Sequence, residues 1–423
     1  MTGGLPRLAV VLDFGAASPM SILAAARGLA EIVFLCDRDL PAVRAVFDDL
    51  HGLAPVRDIT GRSDDEIDAI LGPDAVAGIT TFSEGQLNRT AGLAHRRALT
   101  FLSPQTARTL TDKYLQRQTL ARAHVQHTSC RIVRGVAGLD AALADVGLPA
   151  ILKPRSGAAS ALTCRVDDRR QAQARLREFL SFEAAGPERD FVVEQLLTGD
   201  ASIAGPEWGD YVSVESVTSH GEIRHIEITG KLPLAEPLRE TGYVVPCTLD
   251  QDMRGEILAL TSAALSALDV RHGATHVEIK LTPQGPRIIE VNGRVGGYVA
   301  DLIRRARGFD LIRAALGAAL GRAADVPQAG YRRHTFQYFL TPPMNALRLR
   351  RFDGTGELAR VRGLNLEILK NVGDAVDWRH GTLTYVGIVH GSGRDHHEVL
   401  RLIELINRTM RIEYAETDPP ETG

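Results

Sequence analysis

The segment from residue 276 to residue 294 constrains the fold of this chain more than any other part of its sequence. Apolar and polar residues alternate over 276–281 and again over 287–292, and this two-residue period predicts two β-strands. Pro283, Gln284 and Gly285 lie between them and are residue types that favour a turn. The sequence therefore predicts a β-hairpin centred on Gln284.

The predicted pairing brings two carboxylates together on one face of the hairpin. Glu278 faces Glu290, and Ile279 faces Ile289. Directly opposed side chains lie about 5 Å apart, and two carboxylates at that distance repel each other by roughly 3 kcal/mol at an effective dielectric constant of about 20. Asn292 shares their face, and carboxylate and amide oxygens are ligands that Mg²⁺ prefers. We therefore expect Mg²⁺ and a nucleoside triphosphate here; a pairing slipped by two residues, with a solvated polar face, is the alternative.

The chain has no P-loop, because the sequence lacks a complete G-x-x-x-x-G-K-[ST] motif. Other residues must therefore supply the cations that bind phosphate. Lys153 ends an apolar stretch at 149–153, where a buried lysine needs a counter-charge. The small residues at 155–160 follow it, and their backbone N–H groups suit a phosphate. Arg294 can reach the same oxyanions with its forked guanidinium. A local carboxylate partner for Lys153 is the alternative interpretation.

Strand-like and helical segments alternate over the first ~100 residues. Apolar stretches at 7–13, 31–37 and 75–81 are each followed by a helical pattern, which predicts a parallel sheet covered on both faces. We expect a Rossmann-like unit. The G-x-G-x-x-G fingerprint is absent after the first stretch, which disfavours NAD binding.

Composition excludes several classes of protein. The chain has 423 residues, of which 44% are hydrophobic and 24% charged, so it is long enough for two to four packed units and is not disordered. Its 49 basic and 52 acidic residues nearly cancel, which argues against nucleic acid or an anionic membrane as the main partner. The four cysteines are far apart, which fits a reducing compartment, and we expect a cytoplasmic protein.

Taken together, residues from about 103 to 321 resemble the ATP-grasp superfamily. Lys113 matches the family's first phosphate-contacting lysine, and Lys153 matches the strand lysine on the α/β-phosphates. The resemblance further implies a phosphate-covering loop, an adenine site, three magnesium ligands and a catalytic arginine. The loop residues are Ser156, Gly157 and Ser160, and the adenine site consists of Glu194, Gln195 and Leu197. The magnesium ligands are Glu278, Glu290 and Asn292, and the arginine is Arg294. It leaves the ribose-binding acid open between Glu207 and Asp210.

Within the superfamily the sequence is most similar to the L-amino acid ligases of the bacilysin-synthetase type. The similarity implies that the substrate site includes Lys231, Glu240, Gly296, Gly297 and Tyr298, with Tyr298 at the bulky position that limits the side chain of the first amino acid. The covering loop departs from the pattern because Gly157 is its one glycine and the chain continues as Ser160-Ala-Leu.

The resemblance implies an ATP-grasp fold that is α/β overall and α+β in its nucleotide-binding part. The expected domains are a Rossmann-like unit at 1–105, an ATP-grasp domain at 106–325 with a lid at about 130–198, and a small α+β domain at 326–423. The expected ligands are ATP and Mg²⁺, with two ions and with Mn²⁺ able to substitute. The expected partners are small amino acid substrates and neither nucleic acid nor membrane, with a homodimer left open.

The implied reaction joins two amino acids in specialised metabolism. A carboxylate attacks the γ-phosphorus of ATP, and an amine then attacks the acyl phosphate, releasing phosphate. Lys153 and Arg294 are the expected catalytic cations, and His276 is the expected base for the amine. Three alternatives are a carrier protein or other metabolite as amine donor, a carboxylase of the biotin-dependent kind, and a non-catalytic nucleotide sensor.

Overall fold

The computed structural model describes residues 4–72, 76–182, 190–326 and 330–416. Within these ranges no helix is long and apolar enough to cross a membrane. Part of the predicted strand at 75–81 and the tail from 417 onward lie outside the described residues.

The chain begins with a parallel four-stranded sheet, as the alternating pattern predicts. Its strands are β1 (Arg7–Leu12), β2 (Glu31–Cys36), β3 (Val56–Asp58) and β4 (Gly78–Thr80), in the order β3-β2-β1-β4. The helices between and after them are α1 (Pro19–Ala26), α2 (Pro41–Arg44), α3 (Phe47–His51), α4 (Asp64–Leu71) and α5 (Leu87–Arg96). Alternate residues of β1 enter two different hydrophobic cores. Both faces of this sheet are therefore buried, which explains the continuous apolar strands.

Two helices lead into a second, antiparallel sheet, which lies in the segment expected to be the lid and is called the lid below. The helices are α6 (Pro104–Thr111) and α7 (Lys113–Arg122), and Asp112 caps α7 by accepting from the backbone N–H groups of Tyr114 and Leu115. The lid contains β5 (Cys130–Val133), α8 (Leu139–Val146), β6 (Ala150–Pro154), β7 (Cys164–Val166), α9 (Arg169–Ser181) and β8 (Phe191–Gln195), with strand order β5-β8-β6-β7. It has its own core.

The largest sheet is antiparallel and has eight strands. In chain order its strands and the neighbouring helices are β9 (Tyr211–Ser219), β10 (Glu222–Lys231), β11 (Gly242–Val245), α10 (Gln251–Ala267), β12 (Gly273–Thr282), β13 (Gly285–Asn292), α11 (Val299–Arg307), α12 (Leu311–Ala319) and β14 (His334–Leu340). The chain continues through β15 (Arg348–Asp353), α13 (Thr355–Leu358), β16 (Asn365–Ile368), β17 (Gly387–Gly393), α14 (His396–Thr409) and β18 (Arg411–Ala415). The sheet order is β13-β12-β9-β10-β11-β14-β17-β16, and β15 pairs with β18.

This sheet crosses the domain boundary that we expected at residue 326. Strands β14, β17 and β16 follow that boundary, yet they extend the sheet that contains the β12–β13 hairpin. The C-terminal strands therefore belong to the same sheet as the hairpin, separated from it by β9, β10 and β11. The three expected domains stay predictions.

Candidate active site

A cavity of about 1160 Å³ lies where the first unit, the lid and the large sheet meet. Its walls include the β1–α1 loop, β6, the start of the segment after β8, the β12–β13 hairpin and the C-terminal strands β16 and β17. This volume lies just above the range of about 300–1,000 Å³ that is usual for small-molecule sites. Almost all of the site residues predicted from the sequence line it.

The hairpin places the two predicted carboxylates opposite each other. Glu278 pairs with Glu290, and His276 pairs with Asn292, as predicted. The predicted pairing of Ile279 with Ile289 is wrong, because a β-bulge shifts the register and Ile279 pairs with Ile288. The bulge leaves the carbonyl of Ile289 out of the ladder, and this carbonyl accepts a hydrogen bond from Arg117.

Each carboxylate of this pair has a cationic neighbour. Lys113 Nζ lies 3.0 Å from Glu290 Oε1, and His276 Nε2 lies 3.4 Å from Glu278 Oε1. Burial raises the pKa of Glu278, but the hydrogen bond and positive charge of His276 outweigh burial and hold that pKa at about 2. Glu278 is therefore available as an anionic ligand, and Glu290 lies opposite it in the hairpin.

His276 is enclosed between two carboxylates. Its Nδ1 lies 2.5 Å from Glu215 Oε1 on β9, and its Nε2 faces Glu278. Burial lowers the pKa of His276, but the charge and hydrogen bond of Glu215 raise it to about 9. An imidazolium has no lone pair to accept a proton, so this environment does not support the predicted role of His276 as the base. It orients Glu278 instead.

The donor set of the hairpin fits Mg²⁺. Asn292 donates from Nδ2 to the His276 carbonyl, which fixes its amide with Oδ1 next to Arg294. In the described part of the chain, no group of three or more His, Cys, Asp and Glu side chains is arranged to hold a metal ion. The hairpin offers two carboxylates and one amide oxygen as ligands. The remaining coordination positions of Mg²⁺ would be filled by water or phosphate, as is usual for this ion.

Lys153 lies inside a buried ion-pair cluster. Its Nζ is 2.5 Å from Glu194 Oε1, and Arg117 Nη2 is 3.1 Å from Glu194 Oε2. Burial raises the pKa of Glu194, but Arg117 and Lys153 together lower it below its ordinary value. Lys153 therefore has a carboxylate partner, which belongs to the predicted adenine segment, and both residues line the cavity. Arg117 was missed, although it lies one turn after Lys113 on the same helix face.

The other residues of the nucleotide end mostly line the cavity. Ser156, Gly157, Ser160, Gln195 and Leu197 are all in its wall, and Lys113 Nζ also donates to the Gly157 carbonyl at 2.9 Å.

Asp210 is the exception. It lies outside the cavity wall, where its Oδ1 is 2.6 Å from Lys280 Nζ. Glu207, the other candidate, is also absent from the wall. The structure therefore gives no support for either acid as the ribose ligand.

Arg294 bridges the hairpin and the first unit. Its Nε lies 3.2 Å from Glu84 Oε2, and its Nη2 donates to Asn292 Oδ1 at 3.3 Å. Burial raises the pKa of Glu84. Glu84 also lines the cavity, although no role is predicted for it from the sequence. Its position just after β4, at the carboxyl end of a parallel strand, is a signal that could have identified it.

Three of the five predicted substrate residues are in the cavity wall. Glu240, Gly297 and Tyr298 line it. Lys231 does not; it is almost fully buried behind Glu240, with its Nζ 2.9 Å from Glu240 Oε1 and 3.7 Å from the centre of the Tyr243 ring.

Gly296 has a packing role rather than a place in the wall. A Cβ there would overlap His276, and its N–H donates to Glu215 Oε2 at 3.3 Å.

Comparisons with known proteins agree with this geometry. The model of the ATP-grasp domain matches residues 146–301. Alanine–anticapsin ligase of Bacillus subtilis is 29% identical over 276 residues, which cover 62% of this chain and 58% of that enzyme. Carnosine synthase 1 of Homo sapiens is 26% identical over 251 residues, covering 56% of this chain and 30% of that protein. The matched part is thus less than two thirds of either relative.

Solved structures show the same fold over nearly the whole chain. An L-amino acid ligase from Bacillus licheniformis superimposes with a TM-score of 0.77 at 20% identity, covering 98% of this chain and 100% of that one. A carboxyaminoimidazole ribonucleotide synthase from Aspergillus clavatus, complexed with ATP, gives 0.71 at 14% identity over 96% and 99%. The chain therefore has the ATP-grasp fold, and its residues 146–301 match the ATP-grasp domain.

Proposed function

We propose that this chain is an ATP-dependent carboxylate–amine ligase that joins two amino acids and releases ADP and phosphate. One observation carries the proposal: a single cavity is lined both by the Glu278–Glu290 pair with its cations and by Glu240 and Tyr298. A triphosphate and a second small polar substrate then share one enclosed space. The names of the relatives, an alanine–anticapsin ligase and a carnosine synthase, support amino acids as the substrates.

The proposed reaction has two steps. In the first, a carboxylate oxygen of one amino acid attacks the γ-phosphorus of ATP; the bond to the β,γ-bridging oxygen breaks, and ADP leaves with that electron pair. In the second, the neutral amine of the other amino acid attacks the acyl phosphate. An amide forms, inorganic phosphate leaves, and the amine loses one proton. Phosphate leaves far more readily than hydroxide, which is why the carboxylate needs activation.

The residues of this chain position the reactants and cancel charge. Lys113, Lys153 and Arg294 are placed to neutralise the oxygens of the transferring phosphoryl group. Glu278, Glu290 and Asn292 would hold Mg²⁺, which supplies further positive charge to the phosphates. We propose two ions, with Mn²⁺ able to replace Mg²⁺.

The amino acid end is proposed from its wall. Tyr298 limits the side chain of the activated amino acid, and Gly297 leaves open space beside it, because a Cβ there would meet no atom within 4 Å. Glu240 is anchored by Lys231, which keeps its carboxylate fixed at the wall. We also propose a role in specialised metabolism and a cytoplasmic location; four buried, unpaired cysteines fit a reducing compartment.

The test is product analysis with purified protein, ATP, Mg²⁺ and pairs of the common amino acids. We expect ADP and phosphate in equal amounts, together with one amide product per turnover by mass spectrometry. AMP and pyrophosphate would contradict the acyl phosphate. Bicarbonate-dependent turnover without an amine would favour a carboxylase, and ATP binding without turnover would favour a sensor. An amide formed only with a carrier protein would keep the chemistry and change the acceptor.

A further inference from the structure

The phosphate-covering loop, residues 156–161, is docked against a segment from the far end of the chain. We call this segment, Trp378–Thr384, the strap. It consists of 3₁₀ turns with a kink at Gly381, and it precedes β17 of the large sheet. The strap and the loop are separated by more than 200 residues of sequence, so their contact is a property of the fold rather than of local structure.

Two backbone hydrogen bonds join the strap to the loop and its exit. The Thr382 N–H donates to the Ala159 carbonyl at 2.9 Å, and the Leu162 N–H donates to the Arg379 carbonyl at 3.0 Å. Gly381 lies between these bonds. A Cβ at Gly381 would overlap the backbone of Ala159, Ser160 and Ala161, so only glycine permits so close an approach.

The loop needs this external support because of its own sequence. Ala159, Ser160 and Leu162 have φ angles of 62°, 53° and 51°, which place them in the left-handed region. A side chain with a Cβ is unfavourable there, and such residues persist where surrounding contacts over-determine the backbone. Gly157 is the one glycine of the loop. A loop richer in glycine would adopt this backbone without outside contacts. In this loop the strap supplies those contacts.

The strap is also attached to the body of the lid. Arg379 Nη1 lies 3.3 Å from Glu178 Oε1 on α9. The ring of Trp378 packs edge-on against Phe179 of the same helix, with 5.9 Å between centroids. The strap therefore fixes the loop and the lid helix together.

The other end of the strap reaches the cavity. Thr382 and Leu383 line it, and Tyr385, just beyond the strap, lines it as well. The Tyr385 hydroxyl donates to the carbonyl of Glu240 at 2.9 Å, at the amino acid end.

We propose that the strap is a positioning element for the phosphate-covering loop, with Gly381 as its central residue. Docking on the strap holds the loop in the conformation that closes over the triphosphate, so the C-terminal part of the chain sets the affinity for ATP. This inference rests on the proposed function only in naming ATP as the ligand of the loop.

The test compares Gly381→Ala with Gly147→Ala as a matched control. Gly147 has a φ of 85° and a ψ of 170°, and a Cβ there would meet no atom within 4 Å. The control therefore puts alanine into a glycine-only backbone region of the lid without touching the strap. The first readout is hydrogen–deuterium exchange of peptides that cover 156–163, without nucleotide. The second is the KM and the dissociation constant for ATP.

We expect Gly381→Ala to speed exchange of the loop amides and to raise the KM for ATP at least tenfold, with a smaller change in kcat. Gly147→Ala should leave both within twofold of the wild type. Equal loop exchange and equal KM in the two variants would overturn the proposal.

A second pair of variants decides the question if Gly381→Ala does not fold. Arg379→Gln removes the ion pair to α9, together with the pair between Arg379 and Asp377, and leaves the glycine backbone intact. Glu178→Gln removes the same pair from the other side, together with the pair between Glu178 and Arg175. We expect each to raise the KM for ATP about threefold, and the double variant to raise it by less than the product of the two effects. No change in either would overturn the proposal.

The exchange experiment separates this inference from the proposed function. A wild-type protein that binds ATP but ligates no amino acids would contradict the proposed function, while loop exchange and ATP dissociation would still test the strap. A wild-type protein that binds no ATP would contradict both the proposed function and the named ligand of the loop.

Discussion

The Lys153–Glu194–Arg117 cluster gives a stability prediction in which the size of the loss depends on the partner that is removed. The side chains of Lys153, Glu194 and Arg117 are only 6%, 7% and 2% exposed. Glu194→Gln leaves two buried cations without a carboxylate, and breaking a buried pair from one side costs about 3–5 kcal/mol. Lys153→Met removes one charge-assisted hydrogen bond and leaves Glu194 paired with Arg117, which costs about 1.5–3 kcal/mol.

These free energies convert into measurable melting shifts. At roughly 2.1 cal/mol/K per residue, unfolding of a 423-residue chain has an entropy of about 0.9 kcal/mol/K. Glu194→Gln should therefore lower the melting temperature by about 3–6 °C and Lys153→Met by about 2–3 °C. A separately unfolding lid would give larger shifts in the same order, since its unfolding entropy is smaller.

Calorimetry of the wild type and the two variants checks the order, and acid titration checks its cause. The pKa of Glu194 is lower in the folded state, so its contribution is present at neutral pH and is lost as the pH falls through the ordinary glutamate range toward the lower folded value. The stability difference between wild type and Glu194→Gln should shrink over that range. A Lys153→Met protein less stable than Glu194→Gln would refute the reasoning.

Three further predictions concern the reaction. Glu290→Gln should abolish ADP release while the melting temperature stays close to that of the wild type, because Lys113 keeps the Gly157 carbonyl as a partner; surviving ADP release would contradict the metal role. Arg294→Lys should lower kcat about 10²–10³-fold with a smaller change in KM for ATP, measured by phosphate release, because a lysine cannot reproduce the fork; an unchanged kcat would exclude the assigned role. Removing divalent cations with EDTA should stop turnover, and added Mg²⁺ should restore it; turnover in EDTA would count against metal dependence.

The sequence predicted the pairing of Glu278 with Glu290 correctly and the pairing nearer the turn wrongly. The pattern of alternating residues identifies the faces, and two strands with opposed glutamates leave few possible registers. The bulge next to Glu278 could not be read from the pattern, because Arg117, more than 170 residues away, stabilises it by binding the freed carbonyl of Ile289.

Partners that are distant in the sequence explain the other differences. The pairing of β12 with β9 places Glu215 next to His276, and this neighbour turns a candidate base into a cation. The strap reaches the covering loop only because β14 and β17 extend the large sheet. Local patterns identify which residues are chemically suited to a site, whereas the protonation state and conformation of those residues are set by neighbours that only the fold brings close.

The charges at the nucleotide end give a physical argument for two metal ions. Five cations and five carboxylates form a set of ion pairs there: Lys113, Lys153, Arg117, Arg294 and His276, with Glu290, Glu194, Glu84, Glu278 and Glu215. Their formal charges cancel, so the set has no excess positive charge for the four negative charges of a fully ionised triphosphate. Because burying uncompensated charge is costly, we expect ATP to bind together with divalent cations, and the two proposed ions would supply four positive charges. We therefore expect metal-free ATP to bind far more weakly than Mg-ATP. Comparable dissociation constants with and without Mg²⁺, measured by calorimetry, would contradict this expectation.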